Sequence, residues 1–140
     1  MGNNLNRFLE AQEKDYDQAL SEIKSGRKRS HWMWYIFPQY KGLGYSETSK
    51  FYAIQDLDEA RAYLMHPILG SRLREITNEL LVVSENNAKT IFGSPDDMKL
   101  KSSMTLFASV DTSDEKPFIK VLNKFFYGEF DEKTLDLLEQ

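Results

Sequence analysis

Residues 30–39 read SHWMWYIFPQ and follow GRKR at 26–29. Histidine is the side chain that exchanges protons near neutral pH, which makes His31 the candidate acid–base group. Trp32 and Trp34 offer flat faces, and Arg27, Lys28 and Arg29 offer charge. Cationic groups beside aromatic rings suit a flat anionic ligand by stacking and charge pairing. Ser30 and Gln39, at the ends of the run, count with Arg27, Lys28, Trp32 and Trp34 as candidate ligand-binding residues. The competing reading is packing. An aromatic run fills a core, and a lone histidine within it is a hydrogen-bonded structural residue.

A second stretch, SPDDMKLKSSMTLF at 94–107, carries polar groups where a helix would be apolar. At 100° per residue, Leu100, Met104 and Phe107 set the apolar direction. Asp96, Lys99 and Ser103 fall in the same arc, and with His31 they form the candidate catalytic set. Ser102 is a further candidate binding residue. Buried polar groups cost free energy unless satisfied, so this face is either an internal hydrogen-bond network or a pocket wall. Asp96 also suits a helix start, and Lys99 can snorkel past the core edge. His66, before Pro67, reads as a cap near a helix start or as a binding residue.

Several chemistries are excluded. There is no cysteine, and the two histidines stand 35 positions apart, so metal-ligand spacing is absent. GLG at 42–44 is too short for a phosphate loop; the residue types for Ser-His-Asp catalysis are present, but no nucleophile elbow is. Asp96 and Asp97 point about 100° apart on a helix and do not form a carboxylate pair. The cofactor, like the ligand, is left unknown by the sequence.

The elements that must position these residues read as helices. Leu5, Phe8, Leu9, Gln12, Tyr16, Ala19, Leu20 and Ile23 repeat at three- and four-residue steps, and Gly26 stands where a left-handed terminator belongs. The periodicity predicts helices over 5–25, 67–83, 94–110, 114–127 and 131–138, with a shorter one from Asp56. Ser30 is expected to cap a short helix that Pro38 stops, and Ser94 to cap the helix of Asp96 and Lys99. On the first of these, His31, Trp34 and Pro38 share one side, with Trp32, Tyr35 and Gln39 rotated away. One side should be core and the other should line a pocket, leaving one tryptophan sealed but not both. QYKGLGYSETS, residues 39–49, reads as a loop with two glycines two apart, then Ser46 as a candidate helix cap. No stretch alternates with period two. The expectation is a single all-α domain of about six to eight short helices over 1–140, with its core at about 5–138.

Bulk properties narrow the partners. The 140 residues carry a net charge of −4, and residues 129–140 account for all of it. KSGRKRSH at 24–31 is a compact basic spot on a balanced background. Duplex DNA calls for a basic face, so it is not expected; one small anion fits better. No apolar stretch reads as a signal peptide or a membrane span, and a soluble, cytoplasmic protein is expected.

GRKRSHWMWYIFPQYKGLG, EARAYLMHPILGSRL and IFGSPDDMKLKSSMTLF resemble the blocks of a bacterial family catalogued as domain of unknown function 1810. The resemblance spans roughly residues 5–138 and implies a mainly α-helical protein. Its blocks single out Arg27, Lys28, Ser30, His31, Trp32, Trp34, Phe37, Pro38, Gln39, His66, Asp96, Lys99, Ser102 and Ser103. Such proteins often carry the name calpastatin. That inhibitor is a disordered, repetitive chain, whereas this composition is that of a folded domain. The family supplies no activity. Two readings follow. One is a domain that binds, or acts on, a small anionic, nucleotide-like ligand. The other is an interaction module whose aromatic patch docks a protein partner; beside both stands the bland option of a structural protein with no pocket.

Overall fold

A computed structural model describes residues 4–139. Nine helices follow one another among them: α1 (Asn6–Lys24), α2 (Met33–Ile36), α3 (Glu47–Tyr52), α4 (Leu57–Met65), α5 (Leu69–Val82), α6 (Ala88–Phe92), α7 (Asp96–Ala108), α8 (Pro117–Phe126) and α9 (Glu132–Leu138). The fold is all-α, and the count exceeds the expected six to eight because α2, α3 and α6 span only four to six residues each. The single extended pairing among the described residues is a parallel bridge between Tyr40 and Ile54. No helix there is long and apolar enough to cross a membrane.

Local chemistry sets the boundaries. Gly26, at φ 83°, ends α1. Its N–H donates to the Ile23 carbonyl at 2.9 Å while the Arg27 N–H reaches back to Glu22 at 3.0 Å. That paired reversal satisfies the last carbonyls and turns the chain out of the helix. Asp56, Asn87 and Asp131 cap α4, α6 and α9 by accepting backbone N–H bonds. Ser94 does not cap α7. Pro95 occupies the cap position and offers no side-chain acceptor, so the acids of the first turn serve the positive helix end, Asp97 accepting the Met98 N–H at 2.9 Å.

Helices α4, α6, α8 and α9 all pack against α7, and α5 bridges α1, α4 and α8. A chain of rings runs through the centre. Phe8 meets Tyr63 edge-on at 5.1 Å, Tyr63 meets Phe107 at 5.4 Å, and Phe107 meets Phe118 at 5.9 Å. Each fully buried ring of this kind contributes about 1.5–3 kcal/mol by leaving water. Since α7 is covered from several sides, Ser102, Ser103 and Thr105 are buried with its apolar residues. A second cluster, Trp32, Phe37 and Phe92, fixes the aromatic segment against α6.

A candidate ligand site around Trp34

The site grows from one buried carboxylate. Glu22 lies on the inward stripe of α1, 2% exposed. It accepts from the backbone N–H groups of Arg29 (2.7 Å) and Ser30 (3.0 Å), the Ser30 hydroxyl (2.6 Å), the Trp32 indole (2.9 Å) and the Gln18 amide (2.8 Å). Burial alone would raise its pKa. The donors from Gln18, Ser30, Arg29 and Trp32 outweigh that and hold the carboxyl down to about 2. Ser30 therefore serves Glu22 and caps no helix; α2 begins after Trp32 without a side-chain cap.

Lys28 is folded inward beneath this clamp. Its ammonium lies 2.9 Å from Asp96 Oδ2, donates to the Ser30 carbonyl and sits 5.0 Å from the centre of the Trp32 ring. Only 8% of its side chain is exposed. Asp96 in turn faces Lys99 at 3.6 Å, and the Lys99 ammonium stands over the Trp34 ring at 5.3 Å. Arg27 and Arg29 point into solvent.

The two tryptophans part ways. Trp32 is 1% exposed, and Trp34 is half-buried. Because α2 is a single turn, the expected division of the segment does not hold throughout. Pro38 is buried, and Gln39 shares a cavity with Trp34. Trp34 lies where three hollows meet. One, of about 230 Å³, is lined by Lys28, His31, Ser94 and Asp96. A wide one, of about 570 Å³, has Tyr35, Phe51 and Tyr52 on its walls with His31 and Glu47 at its edge. The third, of about 210 Å³, lies among Gln39, Tyr40, Lys41, Lys50, Tyr52 and Gln55.

The structure thus brings together Lys28, His31, Trp34, Asp96 and Lys99, and Gln39 lines another hollow beside Trp34. His31 is exposed and lines two of the hollows. Ser103 lies one turn beyond Lys99, fully buried, and its hydroxyl has no partner among the described residues. Ser102 turns away to Asp131 at 3.1 Å, in a network with Thr105 and Thr134 that fastens α9 to α7. His66 stands apart from the hollows. Its Nδ1 accepts from the N–H groups of Ile68 (3.1 Å) and Leu69 (3.2 Å) at the start of α5. Glu22, Lys41, Lys50 and Tyr52 were not among the expected residues. Glu22 had a signal: it follows Ala19 by three on an inward stripe that already held the polar Gln12. Lys41, in a loop, and Lys50, on α3, had none.

Comparison with known proteins adds a lineage. A family model described as "Protein of unknown function (DUF1810)" matches residues 2–138. The crystal structure of the conserved hypothetical protein Rv1873 from Mycobacterium tuberculosis is 44% identical to this chain. The match covers 98% of this chain and 97% of that one, with a TM-score of 0.94. No curated protein matches.

Proposed function

This chain belongs to the DUF1810 family of proteins of unknown function, and from that premise we propose that it binds a small anionic, nucleotide-like ligand around Trp34. The observation that carries this reading is the contrast in the aromatic segment. A network of five hydrogen bonds on Glu22 seals Trp32, while Trp34, two residues later, stands half-open at the junction of three concave surfaces. Binding sites are concave and mostly aromatic or apolar, with a few polar groups converging on them. Here the indole face and Tyr52 would receive a flat ring. Around the hollows Lys28 and Lys99 share Asp96, and Asp15 and Glu10 lie close to Tyr35 and Tyr52 with Glu47 beside them. The positive charge left for an anion is therefore that of Lys41 and Lys50, whose cavity has no acid on its lining. His31 is exposed and lines two of the hollows beside Trp34, which supports it as the candidate acid–base group toward a bound ligand.

A protein partner is the second reading. Tyr45 and Phe51 are 77% and 57% exposed near this site, and exposed aromatic residues mark docking surfaces. The concavity at Trp34 favours the small ligand. The test is a thermal-shift screen of nucleotides, sugar phosphates and acidic metabolites. Stabilisation by one class, lost in Trp34→Ala, is expected. A screen without any stabilising compound, together with capture of a defined peptide by the same face, would overturn the reading in favour of docking.

A further inference from the structure

The cations around Trp34 are not equivalent, and their differences locate the ligand's charge. Lys28 has its ammonium spent on Asp96, the Ser30 carbonyl and the Trp32 ring. Lys99 shares Asp96. Lys41 and Lys50 differ from both. They line the 210 Å³ cavity, no acidic side chain joins them there, and neither ammonium has an ion-pair or hydrogen-bond partner among the described residues. Two unpaired ammonium groups beside a concavity without carboxylates make the strongest local attraction for an anion in this part of the molecule.

The cavity's walls are held in advance of any ligand. Tyr52, Ala53 and Gln55 belong to a stretch pinned by Arg7, whose guanidinium donates to the carbonyls of Asn4, Phe51 and Ala53 and to both oxygens of Glu59. Glu59 also accepts the Gln55 N–H at 2.9 Å. The opposite wall is fixed by the Tyr40–Ile54 bridge, in which the Lys41 N–H donates to the Ile54 carbonyl and the Ile54 N–H to the Gln39 carbonyl, and by two glycines. A side chain at Gly44 would strike Ser49 at 2.6 Å, and Gly42, at φ 97°, rests on Leu137 of α9. A volume of about 210 Å³ is below the roughly 300–1,000 Å³ of sites that enclose a whole drug-sized molecule. It suits a tetrahedral anion and part of a sugar. The cavity shares Trp34 and Tyr52 with the aromatic hollow, so a ring and an anionic group on one ligand reach both at once.

We propose that this cavity is the phosphate subsite of the Trp34 site: Lys41 and Lys50 receive a phosphate monoester whose attached sugar leads the ring onto Trp34. This rests on the reading of Trp34 as a ring-binding surface. The experiment titrates the full chain with the four common nucleoside 5′-monophosphates, their nucleosides, ribose 5-phosphate and inorganic phosphate. Affinity is followed by tryptophan fluorescence and thermal shift. Both lysines are exposed, so the Lys41→Ala/Lys50→Ala double variant should melt as the parent does. One monophosphate should bind more tightly than its nucleoside. The double variant should lose about tenfold or more of that affinity and leave the nucleoside within about twofold, with added salt weakening only the parent. Stabilisation by ribose 5-phosphate without fluorescence quenching, lost in the double variant, would mark the same phosphate contacts without the ring. If nucleoside and monophosphate bind alike, or if Lys99→Ala rather than the double variant removes the preference, the phosphate subsite is wrong while the ring site stands. If no compound binds, both fall.

Discussion

Trp32 and Trp34 come from one short segment of one chain, yet one is built into the scaffold and the other is left at a surface. The difference lies in their polar neighbours. The Trp32 N–H ends on a carboxylate that also holds two backbone N–H groups of the preceding loop. Every group in that arrangement is satisfied by another part of the protein, and a satisfied buried network specifies structure. Trp34 has Lys99 over its ring and hollows beside it. Saturation marks the scaffold at Trp32, and open surface marks the candidate site at Trp34. The same distinction separates Lys28, whose donors are used, from Lys41 and Lys50, whose donors are not.

Truncating the two indoles gives the largest contrast. Trp32→Ala opens a cavity among Phe37, Phe92 and Glu22, and should cost about 3–5 kcal/mol in urea melts. Trp34→Ala should cost about 1 kcal/mol or less, because the position is half-open. Equal costs would erase the division of the segment.

Glu22 comes next. Glu22→Ala leaves the indole and two loop N–H groups without their acceptor, at a cost on the order of 3 kcal/mol. The pH dependence has a definite sign. The carboxyl has a usual value near 4.5 and is held to about 2 in the folded protein. Its contribution is present above about 4.5 and is lost as the pH falls from there toward about 2. Asp111, whose pKa burial opposes but Ser113 and Arg74 lower overall, adds to the same acid limb. Stability measured from pH 6 to pH 2 should therefore fall less steeply in Glu22→Gln than in the parent, without becoming flat.

The smallest contrast lies between the two lysines that share Asp96. Lys28→Ala removes a buried partner and should cost about 1–3 kcal/mol in thermal or urea melts. Lys99→Ala, at the solvent edge, should cost under about 1 kcal/mol. A reversal would place the structural ion pair at Lys99.

Much of the helix plan was legible because caps and terminators act locally. Gly26, Asp56 and Asp131 stand at helix ends for reasons contained in a few adjacent residues. Ser94 misled because a serine before a proline carries the same signal whether or not the backbone presents its oxygen to the helix end. The wheel reading of residues 31–39 failed beyond one turn, since α2 is too short for a period to persist. Along α7 the wheel flagged the right polar residues, but their partners lie far off in sequence. Asp96 meets Lys28, and Ser102 meets Asp131. The cavity of Lys41 and Lys50 was not legible, because its walls come from three separate stretches joined by a two-residue bridge and by Arg7.

The central claim is that this segment has one sealed and one available tryptophan. It is tested most directly by acrylamide quenching of Trp34→Phe and Trp32→Phe, each of which retains one indole. The account predicts weak quenching in Trp34→Phe, where only Trp32 emits, and strong quenching in Trp32→Phe, where Trp34 emits. Equal quenching of the two folded variants, or stronger quenching of Trp32, would contradict it.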